Sequence, residues 1–122
     1  MITDAAISVI AGNVKDRKVA ELVATTQHAL LTGIEAVKDG VMVGDIAAAI
    51  QRVLDEGKYG IVRDLVGHGV GHELHEDPNI PNYGKPGEEP QLQRDMTIAI
   101  EPMATLGDHR VYLDDDGWTI RT

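Results

Sequence analysis

The sequence predicts an α/β domain of the mixed α+β kind, in which two amphipathic helices cover a sheet. Three observations predict it. Two stretches, one reaching Val37 and one reaching Glu56, repeat apolar residues at helical spacing. Residues 2–11, 59–66 and 96–103 are instead short apolar runs bounded by turn residues, the pattern of strands. Two consecutive helices with such stripes cannot bury them on each other alone, so a sheet must take the rest. A length of 122 residues suits one domain with one core. Because the chain has no Phe, one Trp and three Tyr, that core must rest on Val, Ile, Leu, Ala and Met.

Taken in order, residues 2–11 (ITDAAISVIA) place Ile7, Val9 and Ala11 on one face and Ile2, Ala6, Ser8 and Ile10 on the other. Both faces are apolar enough to be covered. Asp4 then sits near the start of an apolar strand. Either it has a partner or a metal, because an unpaired buried charge is costly, or it lies in water at a frayed end. Gly12-Asn13 closes the strand, and Asn13 is placed to cap the first helix with Asp16 in the first turn. Val19, Leu22, Val23, Thr26, Leu30, Gly33, Ile34 and Val37 form its stripe, with His28 off it on the solvent side. Asp39-Gly40 ends it. Ile46, Ala49, Ile50, Val53 and Leu54 mark a second helix from Asp45 to Glu56, stopped by Gly57. Residues 59–66 read as a short strand. Pro78, Pro81 and Pro86 rule out helix interior or central strand for most of residues 78–90, which read as a long, partly extended loop. Residues 96–103 (MTIAIEPM) are a strand that Pro102 stops, with Glu101 at its end. Residues 110–113 and 118–121 are two short strands joined at Asp116-Gly117. The Asp114-Asp115-Asp116 run lacks the spacing of an EF-hand loop, and His109 reads as solvated.

Composition excludes some functions. A formal charge of -9 argues against nucleic acid and against an anionic membrane surface as partners. With no cysteine there are no disulfides and no thiolate metal ligands, which suits a reducing cytoplasm. Ile2-Thr3-Asp4 after Met1 has no basic or long apolar character, so neither a signal peptide nor a membrane span is expected.

The densest chemistry runs from Val66 to Gly84 (VGHGVGHELHEDPNIPNYG), which holds three of the five histidines. Glycines at 67, 69 and 71 permit a sharp turn or close approach of another strand, and leave His68 free to reach a partner. Imidazole with carboxylate suits a first-row divalent metal; a tight connection with solvated histidines is the plainer reading. HELHE falls one residue short of the zincin HExxH, since His72 and His75 are three apart. His68 and His72 have the four-residue spacing, but Gly69 and Gly71 oppose a helix there. A site here must therefore be built by tertiary contact. Asp4, His68 and Glu101 are the candidates, each inside a strand or where a strand meets a loop. Spacing alone does not bring them together.

GHGVGHELHEDPNIPNYG, together with MTIAIEPM and DDGWTIRT, resembles the type I methionine aminopeptidases of the creatinase and aminopeptidase group, and the likeness covers nearly the whole chain. It implies the "pita-bread" fold, a curved and mainly antiparallel sheet covered by the two helices. It also implies a two-metal hydrolase that removes the N-terminal methionine of new polypeptides in the cytoplasm. Asp4, His68 and Glu101 match metal ligands of the family, His75 a histidine that binds the substrate and its transition state, and Trp118 an aromatic near the substrate pocket. The resemblance implies two divalent ions (manganese, iron, cobalt or zinc), a peptide partner carrying N-terminal Met, and a monomer in the full-length family. Thr3 stands where glycine is frequent, and His72 where arginine is frequent. A further aspartate and histidine of the family fall before Met1, and its last glutamate beyond Thr122. Residues 1–122 are thus expected to form a single partial domain without upstream and final strands, inactive alone. Rival readings are a prolidase-type peptidase, a binding module that lost catalysis, and a structural or oligomerisation domain.

Overall fold

The first helix, α1 (Arg17–Ala36), begins later than the Gly12-Asn13 signal suggests. Its cap is Asp16, not Asn13: Asp16 is extended, and its carboxylate accepts the Lys18 N–H at 2.9 Å. A cap must reach the free N–H groups of the first turn, and that turn begins at Arg17. The second helix, α2 (Val43–Glu56), starts two residues before Asp45. Asp45 works as a brace instead of a first residue: one carboxylate oxygen accepts the Met42 N–H at 3.3 Å and the other the Gly87 N–H at 2.9 Å. At its far end Gly57 stays in the right-handed region, and the positive φ falls on Lys58. Gly57 is needed for space, since a Cβ there would lie 2.7 Å from the Tyr59 ring.

The stripes face one another. Ala29 and Gly33 are the buried residues of α1, and a Cβ on Gly33 would stand 2.7 Å from Ile50 Cγ1, so the missing side chain lets the helices close. Ile34 and Val37, at the end of the expected α1 stripe, are exposed. The core joins Ala29, Val41, Val43, Ile46, Ile50, Val53, Leu54, Ile61, Ile80 and Leu92, with Tyr59 and Tyr83 packed against it. It is aliphatic, as the composition requires. Among the described residues no helix is long and apolar enough to cross a membrane. The computed structural model describes residues 1–13 and 15–122.

The strands are shorter than the sequence suggests and form three antiparallel groups. β1 (Gly60–Ile61) is all that remains of the strand expected over residues 59–66. β2 (Gly67–Gly69) lies at the centre of a three-stranded sheet between β3 (Glu76–Ile80) and β4 (Ile98–Ala99). β5 (Ala104–Thr105) pairs with β1, and β6 (Tyr112–Leu113) with β7 (Ile120–Arg121). The last pair is the hairpin that Asp-Gly predicts. The residue 96–103 strand breaks after Ala99, where the chain passes from the β2 sheet to the β1 sheet.

Two expectations are corrected. Residues 2–11 form no strand; apart from the Ile2 N–H, which donates to the Gly71 carbonyl at 2.7 Å, no ladder holds them among the described residues. A strand needs a neighbour for its backbone groups, and apolar alternation does not supply one. Conversely, a strand forms within the proline-rich segment, across Pro78. It is an edge strand, where a residue without N–H is tolerated.

Candidate metal centre

The glycines of β2 set the site by bringing strands together. A Cβ on Gly67 would run into the carbonyl oxygen of Ala99 in β4, and one on Gly69 into that of Asp77 in β3. His68 lies between them and pairs with Ala99, so its main chain is held at the centre of the sheet. It is 5% exposed. Its Nδ1 lies 2.9 Å from the Gly69 carbonyl oxygen, a contact that makes Nδ1–H the donor. The other ring nitrogen then offers its lone pair to the site, the arrangement in which a histidine binds a metal.

His68 Nε2 meets both carboxylates that the sequence singles out. Glu101 Oε1 is 3.3 Å away and Asp4 Oδ2 3.7 Å. One ligand atom from each of the three residues lies within 4.8 Å of the others. Asp4 arrives from the exposed N-terminal segment, tied near β2 by the Ile2–Gly71 hydrogen bond. Glu101 arrives from the break between β4 and β5. Two carboxylate oxygens and one imidazole nitrogen are a donor set suited to a first-row divalent ion. The two carboxylates are partly open to solvent, so the group has an entry path.

His75 also reaches this corner. Its ring packs edge-on against His68, with centroids 4.4 Å apart and planes at 65°. The loop that carries it is held by Glu76, whose Oε1 accepts the N–H groups of His72 and Glu73 at 2.5 Å each. The Glu73 N–H, and then the His72 N–H and ring, hold the Glu76 carboxyl below its ordinary value against the opposing effect of desolvation. His72 projects into solvent outside the triad, as does His28 on α1. Trp118 is 87% exposed at the β6–β7 turn, where its ring faces solvent instead of packing on the triad.

Sequence reasoning missed Asn82. It is fully buried, and its Nδ2 donates to the Glu101 carbonyl at 2.8 Å. Within Pro81-Asn82-Tyr83-Gly84 it reads as an ordinary turn residue, and no periodicity separates a buried asparagine from a solvated one.

The model of metallopeptidase family M24 matches residues 1–122, the whole chain. The chain belongs to metallopeptidase family M24. It is 40% identical over 120 residues to a methionine aminopeptidase of Clostridium perfringens, an alignment covering 98% of this chain and 48% of that protein. The crystal structure of a methionine aminopeptidase from Thermotoga maritima superposes with a TM-score of 0.85 at 48% identity, covering 88% of this chain and 43% of that one. A prolidase from Pyrococcus furiosus superposes at 0.62 and 30% identity, covering 77% of this chain and 27% of that one. The chain thus spans about half the length of the curated relatives it matches. Its helices and antiparallel strands follow the pita-bread fold of these structures. M24 membership implies divalent metal binding, and Asp4, His68 and Glu101 are the group of that chemistry among the described residues.

Proposed function

We propose that this chain carries part of the active site of a methionine aminopeptidase, which removes the N-terminal methionine from new polypeptides as they mature in the cytoplasm. The observation that carries this is the convergence of Asp4, His68 and Glu101 on one point, with His75 beside them. Those residues would hold divalent metal: two ions in the complete site, of manganese, iron, cobalt or zinc according to availability. When bound, the metal supplies Lewis-acid polarisation of the scissile carbonyl and lowers the pKa of the attacking water. The protein's part is to orient. The Gly69 carbonyl fixes the His68 ring, and the bonds from His72 and Glu73 to Glu76 fix the turn bearing His75. His75, packed against the His68 ring, would donate to the oxygen on which charge develops, a task suited to a preorganised donor. Trp118, open to solvent on the β6–β7 turn, would contact the substrate from outside the triad.

The prolidase reading is the weaker one: the chain superposes better on the Thermotoga methionine aminopeptidase (0.85) than on the Pyrococcus prolidase (0.62). Calorimetric titration of manganese or cobalt into the chain, repeated with His68→Ala, tests the site. Saturable binding lost on substitution supports it, and equal binding by both proteins refutes it. Competition between Met-Ala-Ser and Ala-Pro peptides for the metal-loaded chain tests the substrate class; preference for Ala-Pro would favour a prolidase.

A further inference from the structure

Glu101 stands in the break between two sheets. β4 ends at Ala99, bonded to β2, and β5 begins at Ala104, bonded to β1. Residues 100–103 cross the gap between these sheets. Pro102 has no N–H to give, and Met103 regains a tie only when its carbonyl accepts the Val62 N–H at 3.0 Å. A ligand in such a crossing is positioned only as well as its main chain is.

Asn82 supplies that position. It lies two residues past the end of β3, just as Glu101 lies two residues past the end of β4. β3 and β4 flank β2 on opposite sides, and the registers Gly67↔Ile80 and His68↔Ala99 carry both residues beyond the Gly67 end of β2. The amide spans that end and donates Nδ2–H to the Glu101 carbonyl at 2.8 Å across 19 residues of sequence. It therefore links the two strands on either side of His68 and fixes the main chain of Glu101 relative to the imidazole.

The rest of the side chain supports this role. Asn82 is fully buried, yet its Oδ1 has no hydrogen-bond partner among the described residues. An unsatisfied buried acceptor costs free energy that an apolar residue of the same size would not. The one hydrogen bond that the side chain makes among the described residues is the donation to Glu101.

We propose that Asn82 is a positioning residue for the metal site, setting divalent-metal affinity by holding the Glu101 main chain. This rests on the reading of Asp4, His68 and Glu101 as metal ligands. Hydrogen bonds made directly to ligating groups are worth roughly 10–100-fold in metal affinity, and one made to a ligand's main chain is expected at the low end of that range. The test is titration of manganese into the 122-residue chain and its Asn82→Leu and Asn82→Asp variants, with a thermal melt of each. Asn82→Leu keeps the branched outline but removes the donor, and is expected to bind manganese about tenfold more weakly than the parent. Asn82→Asp keeps the shape, loses the donor and is expected to weaken binding likewise. Variants that fold and bind with the parent's affinity overturn the proposal, as does a fall in melting temperature with affinity unchanged, which would mark a merely structural residue. Should neither variant fold, NMR of the parent decides. On zinc loading the Asn82 side-chain NH2 resonances should move together with those of the His68 ring; if the His68 ring responds and the Asn82 amide does not, the proposal is overturned. A parent that binds no metal removes both this inference and the site reading, whereas a parent that binds while its variants bind equally removes this inference alone.

Discussion

Asp4 and His68 bring ligand atoms to the same point but are held in opposite ways. His68 occupies the central strand of a sheet, bonded on both sides, with glycines before and after it that admit its neighbours. Asp4 belongs to a segment with no regular structure, tied to the sheet by the Ile2–Gly71 hydrogen bond. Only the Asp4 segment reads as a strand in sequence; the glycine-rich stretch reads as a turn or tight connection. Residues 2–11 are the more apolar of the two, yet Ile7 is 89% exposed, while the glycine-rich stretch with little apolar content is buried. Apolar alternation shows that a segment can be a strand. Whether it becomes one depends on a neighbour for its backbone, and close approach, here bestowed by glycine, decides where that neighbour fits.

The largest expected effect breaks the well-held side. His68→Ala should weaken manganese binding by more than the roughly 100-fold that loss of a supporting hydrogen bond produces, and calorimetry measures it. Next comes the sheet itself. Gly69→Ala forces a methyl into the Asp77 carbonyl, whose strand cannot move alone. We expect a loss of about 1–3 kcal/mol in urea unfolding, the range of overpacking; an unchanged midpoint would show that β3 yields freely. A subtler experiment sharpens the contrast from the loosely held side. Metal that takes Asp4 as a ligand should slow hydrogen exchange of the Ile2 amide more than that of Val70, since binding stabilises what it orders. Equal protection at both positions would mean that the N-terminal segment was already fixed.

A pH experiment isolates the loop of His75. The Glu76 carboxyl is held low in the folded chain, chiefly by the Glu73 N–H. A depressed folded value means that its contribution to stability is present above the unfolded carboxylate pKa and is lost as pH falls through the folded one. Glu76→Gln should therefore be less stable than the parent at neutral pH, and the gap should close in acid, below the ordinary carboxylate range. A pH-independent gap would assign the effect to something other than charge. The smallest effect is expected at Ile7→Thr, within about 0.5 kcal/mol. A larger loss would show that residues 2–11 pack after all.

What the sequence made legible follows from the same contrast. Both helices could be read, because an amphipathic stripe is local and the core needed it. Their ends were less legible: Asn13 and Asp16 are equally good caps on paper, and only the path of the chain chooses Asp16. The hairpin at Asp116-Gly117 was legible from the turn alone. Pro78 correctly excluded a central strand, but nothing local showed that β3 would run along an edge. At the site, the residue types of Asp4, His68 and Glu101 marked them as candidates, whereas their convergence is tertiary. Asn82 stayed hidden because its partner is a main-chain carbonyl, which leaves no mark on residue identity.

The exposed indole of Trp118 makes the chain an unusual optical object. It is the single tryptophan in the sequence, and it sits on the hairpin, away from the aliphatic core. Native fluorescence should already resemble that of indole in water, so melting the helices will change the emission colour little. A blue shift would instead report something coming to rest on the hairpin, whether a substrate or another stretch of protein. The tryptophan signal is thus nearly silent on folding and sensitive to cover.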